Sequence, residues 1–164
     1  MEFTLRDSRR EDFDRLWKLD QECFPPAISY SRVELAIYMR RSGAFTVVAE
    51  AAAGNHSGPA KAAVLGFIVA EASRRGLGHI ITIDVQPGAR RCGVGSRLLT
   101  AAEERLRTAG CSLVFLETAV DNRSAFTFYK RHGYFLVKTV PRYYSNGVDA
   151  FVLRKDLLSA AEAG

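Results

Sequence analysis

Apolar residues along this chain follow two rhythms, one repeating every second residue and one every three to four, and the changes of rhythm divide it into elements. Alternation over Met1–Leu5 predicts an opening strand. A helix should follow from Ser8, because Ser8 and Glu11 have capping-box spacing, with Phe13, Leu16, Trp17, Cys23 and Phe24 facing a core until Pro25-Pro26 ends it. Ser31 and Glu34 repeat that spacing ahead of a second helix, whose buried side is expected at Val33, Ala36 and Ile37 and whose end is expected near Ser42-Gly43. Strands are predicted over Phe45–Ala49 and Val64–Ala70, with the small, polar, aperiodic stretch Ala51–Lys61 as an exposed hairpin loop between them. Arg74–Gly78 then turns the chain into a β-branched strand that reaches Val85.

Past Val85 the period changes to that of a helix. Gln86-Pro87-Gly88 closes a turn, Arg90 to Ser96 is spaced by Gly93 and Gly95, and Leu98, Leu99, Ala102 and Leu106 mark a buried helix face that should end near Ala109-Gly110. Leu113–Thr118 predicts the next strand, so strand, helix and strand form a right-handed parallel crossover. Phe135–Val140 and Ala150–Leu153 predict two antiparallel strands around Pro141–Gly147, where Asn146-Gly147 marks the turn. The expected architecture is a single α/β domain over residues 1–158. Its mixed central sheet has about six or seven strands flanked by about four helices, and 159–164 form a frayed tail.

Composition narrows the class without changing the fold. The 164 residues are enough for one core, and 48% hydrophobic with 25% charged content suits a soluble globular chain. The opening residues lack the basic and apolar regions of a signal peptide, which predicts a cytoplasmic location and no membrane partner. Three separated cysteines, Cys23, Cys92 and Cys111, form no Cys-x-x-Cys pair, and His56, His79 and His132 stand apart from paired carboxylates in sequence, so no metal site is expected. The net charge of +5 comes with no basic run interleaved with aromatics, which argues against nucleic acid as a partner.

The loop before the long helix is where chemistry concentrates. The first N–H groups of a helix have no partner within it, and the macrodipole adds about half a positive charge there, so an anion is the expected guest. Gly93 and Gly95 would let a diphosphate approach those N–H groups, and Arg90 and Arg91 add charge at the rim. The same glycines would also ease a tight strand-to-helix turn. Arg-x-x-Gly-x-Gly matches neither the dinucleotide nor the P-loop fingerprint.

This loop resembles the diphosphate loop of the GNAT superfamily of acetyl-CoA-dependent N-acetyltransferases, whose pattern is Gln/Arg-x-x-Gly-x-Gly/Ala. A second stretch, Glu117-Thr118-Ala119-Val120-Asp121-Asn122 followed by Phe128-Tyr129-Lys130-Arg131-His132-Gly133-Tyr134, is similar to that superfamily's next conserved region. The resemblance implies acetyl-CoA as cosubstrate, held by Ile83, Val85, Arg90, Arg91, Cys92, Gly93, Val94, Gly95, Ser96, Asn122 and Tyr129. Asn122 would contact the pantetheine arm and Tyr129 would approach the thioester sulfur. Read from residue type alone, Asn122 is equally a helix N-cap and Tyr129 a core aromatic beside Phe126 and Phe128.

Acetyl transfer needs a neutral amine, a stabilised oxyanion and a protonated leaving sulfur. A backbone N–H at Val85 would serve the oxyanion, and Tyr129 would donate to the thiolate. Glu117 matches the glutamate of RimI-type ribosomal-protein-alanine acetyltransferases within Leu-Glu-x-x-x-x-Asn, which makes it the expected base, with Asp84 as the rival carboxylate; either could also be a solvated strand-end charge. An α-amine is about 2.5 pKa units easier to deprotonate than a lysine, roughly 3.4 kcal/mol, which favours a protein or peptide N-terminus as acceptor. By the same resemblance, Phe24, Pro25 and Tyr30 would wall one side of the acceptor groove and Tyr143 and Tyr144 the other, with a ribosomal protein among the expected partners and a monomer or homodimer as the assembly. A small-molecule amine acetyltransferase acting on a polyamine, amino acid or aminoglycoside is the alternative, and an acyl-CoA-binding module without turnover is a third.

Overall fold

The computed structural model describes residues 2–52 and 62–158, so most of the expected hairpin loop and the expected tail lie outside the described residues. Its strands are β1 (Phe3–Asp7), β2 (Ala44–Ala51), β3 (Val64–Ala72), β4 (Leu77–Val85), β5 (Leu113–Ala119), β6 (Phe135–Val140) and β7 (Ala150–Asp156), and its helices α1 (Phe13–Cys23), α2 (Arg32–Arg40), α3 (Val94–Thr108) and α4 (Arg123–Arg131). The strands form one sheet in the order β1-β2-β3-β4-β5-β7-β6. Every neighbouring pair is antiparallel except β4 with β5, which is parallel, as a strand-helix-strand crossover requires.

One face of the sheet packs on α3 and α4. Leu98, Leu99, Ala102 and Leu106 of α3 are fully buried there against Ile68, Ile80, Val114 and Leu116, with Tyr129 of α4. The other face packs on Leu16 and Leu19 of α1, with Met39 of α2 at its margin. Burying each leucine contributes about 1.5–3 kcal/mol, so α3 is fastened chiefly by the stripe that its period predicts. A buried carboxylate fixes its register further, since Glu103 accepts from Tyr134 Oη at 2.7 Å and from Lys155 Nζ at 3.0 Å. No helix among the described residues is long and apolar enough to cross a membrane.

Three local expectations need correction. β1 runs on to Asp7 because Arg6 is held by Asp12 and Glu50, and the first helix begins with a 3-10 turn over Arg10–Asp12. Asp12, not Glu11, accepts the N–H of Arg9 at 2.6 Å, while the Ser8 N–H goes to Thr46 O. In α2 the Ser31–Glu34 box forms as expected, but Val33 and Ile37 are 69% and 56% exposed, and Leu35 is the buried residue.

Candidate active site

The parallel pairing of β4 with β5 lasts three residues, Leu77 with Leu113, Gly78 with Val114 and His79 with Phe115, and then stops. Past His79 the two strands part, so the β4 edge from Ile80 to Val85 faces a gap in the sheet. On its other side β4 stays paired with β3 as far as Gly66 and Val85, and the Gln86 N–H continues to Leu65 O at 2.8 Å. Strand alternation therefore turns the backbone groups of Val85 and Ile83 the other way, toward the gap. Consistent with this, the Val85 carbonyl accepts from side chains, Arg90 Nε at 3.3 Å and Cys23 Sγ at 3.4 Å. Burial pushes the Cys23 thiol up to about 11.

The loop from Arg90 to Ser96 closes one end of this gap. Arg91 and Gly93 both have left-handed backbone, φ 63° and 83°, which delivers the chain into α3 with Gly93 as N-cap. Gly93 supplies no side-chain cap, the first turn carries no acidic residue, and the first helical bond is Arg97 N–H to Gly93 O at 3.1 Å. The N–H groups of Val94, Gly95 and Ser96 are thus left without helical acceptors. Arg90, Arg91 and Cys92 are exposed around them, whereas the Val94 side chain is core. At Gly95 a Cβ would meet the Phe128 ring at 3.4 Å and Val85 Cγ2 at 3.6 Å, so the missing side chain makes room for α4 and β4 as well as for any guest. Ser96 Oγ is paired with His132 Nε2 at 3.0 Å, which leaves its N–H as the group aimed outward.

On α4, Asn122 is an N-cap, its Oδ1 accepting the Ala125 N–H at 3.2 Å and Ser124 Oγ at 3.2 Å. Only its amide NH2 remains for another partner. Tyr129 is a core aromatic as well, 6% exposed and edge-on to Phe128 and Tyr134. Burial, reinforced by nearby Asp84 and Tyr144, holds its hydroxyl above the ordinary phenol range and hence protonated.

The two carboxylates expected as rivals differ completely. Asp84 is 1% exposed and so is no solvated strand-end charge. The Glu117 side chain is 21% exposed, and its Oε2 lies 2.7 Å from His79 Nε2. His79 is not isolated, as its sequence position implied: its Nδ1 is 3.9 Å from Glu71 Oε1, its ring stacks on Phe115 at 4.3 Å, and Arg41 reaches Glu71 at 3.5 Å. His79 and Glu117 are 38 residues apart, and only the short parallel register of β4 with β5 brings them together.

The segments expected to grip an acceptor also converge. Tyr30 bonds Ile81 O through its hydroxyl at 3.3 Å and packs against Tyr38 with tilted rings at 5.1 Å. Tyr143 and Tyr144 pack edge to face at 4.9 Å. Ser145 Oγ donates to Ala27 O at 3.3 Å, so the two walls touch at one point. Phe24 is half-buried, and exposed Pro25 accepts the N–H groups of Ile28 and Ser29 that shape the loop.

Residues 13–134 match the model described as the Acetyltransferase (GNAT) family. The N-alpha-acetyltransferase daf-31 of Caenorhabditis elegans is 32% identical over 112 residues, 67% of this chain and 62% of that protein. Among solved structures, Ard1 from Thermoplasma volcanium superposes with a TM-score of 0.84 at 25% identity, covering 97% of this chain and 100% of that one. A chain of the NatC complex bound to Gag peptide and CoA shares the fold, with a TM-score of 0.78 at 24% identity over 96% of this chain and 100% of its own. The chain spans about half to three-fifths of the length of the curated relatives it matches.

Proposed function

The chain belongs to the acetyltransferase (GNAT) family, and from that premise we propose that it moves an acetyl group from acetyl-CoA to the N-terminal α-amine of a protein or peptide. The observation that carries this reading is the open first turn of α3 at one end of the β4–β5 gap, with a partly buried carboxylate, Glu117, held on the other side. The N–H groups of Val94 to Ser96, with Arg90 and Arg91, bind the diphosphate; Ile83 and Val85 line the path of the arm, and the Asn122 NH2 donates to it.

Glu117 takes the proton from the incoming ammonium, directly or through a water, and His79 holds the carboxylate by its Oε2 so that Oε1 stays available. As the amine nitrogen bonds to the thioester carbon, the Val85 N–H receives the developing oxyanion. The C–S bond then breaks and Tyr129 protonates the departing sulfur, regaining its proton from solvent; its raised affinity for that proton keeps it ready as a donor at neutral pH. Tyr30, Tyr143 and Tyr144 offer hydroxyls to the first peptide units of the acceptor. A ribosomal protein, as for enzymes of the RimI type, is one member of this acceptor class, which the relatives' description as N-alpha-acetyltransferases supports more broadly.

The test is a panel of short peptides with varied first residues beside lysine peptides and free amines, followed by CoA release. Turnover is expected with α-amines. Glu117→Gln should lower kcat by about a hundredfold, and Tyr129→Phe should lower kcat without weakening acetyl-CoA binding. Acetylation of free amines but of no α-amine would move the assignment to a small-molecule acetyltransferase.

A further inference from the structure

Two carboxyl groups from distant parts of the chain meet where α1 lies on β4. Asp20 is 0% exposed and Asp84 1% exposed, and each is within hydrogen-bonding reach of the other. Asp20 Oδ2 accepts the Tyr30 N–H at 2.7 Å, and Asp84 Oδ1 accepts Thr82 Oγ1 at 2.6 Å. Their remaining oxygens, Asp20 Oδ1 and Asp84 Oδ2, are buried with no partner. Among the described residues neither carboxyl forms an ion pair with a base. An ionised carboxylate only accepts, so two of them facing one another would leave two buried charges and two orphaned oxygens; one proton between them gives an O–H···O bond that satisfies both.

We propose that Asp20 and Asp84 share one proton, and that this contact is a positioning pair fastening the acceptor wall Phe24–Tyr30 to the strand that carries Ile83 and Val85. Tyr30 is the residue it holds. The Tyr30 N–H goes to Asp20, the Tyr30 carbonyl accepts from Trp17 Nε1 at 3.1 Å and Gln21 Nε2 at 2.7 Å, and its hydroxyl reaches β4. The titratable groups around the pair are Cys23 on α1, Tyr30, Glu34 at the start of α2, and Tyr129 on α4, with Arg90 reaching only Cys23 and the Val85 carbonyl. None brings a positive charge to the carboxyls. Burial first and the mutual repulsion of the pair second hold Asp84 well above the usual carboxylate range, and burial raises Asp20. The shared proton is independent of the reaction, whereas the positioning role rests on the acetyl-transfer reading.

The oxygens already anchored by Tyr30 and Thr82 make the variants diagnostic. Asp84→Asn or Asp20→Asn alone replaces the shared proton with an amide N–H···O bond. The double variant sets two NH2 groups face to face with no acceptor between them. Infrared spectra of the full chain at neutral pH should therefore show a protonated-carboxyl band that either single substitution removes. The sign of the thermal effect is also fixed. A carboxyl protonated in the fold above its unfolded value near pH ~4 contributes fully below that pH and progressively less as pH rises through the folded value, because the unfolded chain releases the proton. Wild-type Tm should thus fall relative to Asp84→Asn as pH rises from about 4. The double variant should raise the acceptor-peptide KM about tenfold over the product of the two single effects, with acetyl-CoA affinity unchanged. Parallel Tm curves, or no such band, would overturn the shared proton. A folded double variant with additive effects on KM would overturn the positioning role. If no amine of any kind is acetylated, the acetyl-transfer reading fails while the band and the Tm curves still decide the pair.

Discussion

Helices α3 and α4 each follow a strand that borders the gap, yet their first turns are built in opposite ways. At α4, Asn122 caps the Ala125 N–H, and α2 is closed more completely still by the reciprocal Ser31–Glu34 box. At α3 a glycine in left-handed conformation stands where the cap would be, no acidic side chain approaches, and two arginines precede it. Glycine at an N-cap costs about a few tenths of a kcal/mol relative to Asn, Asp or Ser, so leaving α3 without a side-chain cap is a small cost to folding. The difference separates helix ends shaped for stability from one shaped to receive an anion from outside the chain.

The sharpest way to break this contrast is to close the open end. Gly93→Asp puts a carboxylate at the N-cap of α3, where it competes for the free N–H groups and repels a diphosphate. Two charges about 4 Å apart are worth about 1 kcal/mol in bulk water and about 4 kcal/mol at an effective dielectric of about 20; at about 2.7 kcal/mol, between these limits for an exposed position, the Kd for acetyl-CoA should rise roughly a hundredfold. Aspartate tolerates left-handed backbone better than most residues, so Tm should move only a few degrees. Calorimetric titration beside thermal melting reads both, and an unchanged Kd would remove the anion from this turn.

Next in size is Asn122, where cap and ligand contact compete for one side chain. Asn122→Ala loses both, costing about 1 kcal/mol of stability, whereas Asn122→Asp keeps an acceptor for the Ala125 N–H and loses only the NH2. A fewfold rise in the acetyl-CoA KM with both variants, but a lower Tm with alanine alone, is the expected split. If the aspartate variant binds acetyl-CoA like wild type, Asn122 is a cap only.

The contrast between α3 and α2 also shows what the sequence could carry. In α3 one stripe is apolar, Leu98, Leu99, Ala102 and Leu106, and it is the stripe that packs. In α2 two stripes satisfy the same spacing, Val33 with Ile37 and Leu35 with Met39, and periodicity alone does not choose between them. The sheet meets the second pair. The Arg90–Ser96 loop was legible because its chemistry is local backbone. The His79–Glu117 and Asp20–Asp84 contacts were not, since one depends on the parallel register of β4 with β5 and the other on how α1 docks on β4. Ser8 misled for a related reason: Arg6 draws Asp12 into an ion pair, and the helix start moves with it.

The smallest expected effect tests the closed end. Ser31→Ala removes the acceptor of the Glu34 N–H at 3.1 Å while the Glu34 carboxylate can still hold the Ser31-position N–H, so only half the box is lost. About 1 kcal/mol should go, lowering Tm by roughly 3 °C for a chain of this size. Acetyl-CoA affinity should not change, because the N-terminus of α2 carries none of the residues expected to hold acetyl-CoA. Combined with Gly93→Asp, the stability and affinity changes should add within about 0.5 kcal/mol, as for separated sites without shared partners. Coupling beyond that would mean the two helix ends communicate through β4, and the division between ends for folding and an end for binding would have to be redrawn.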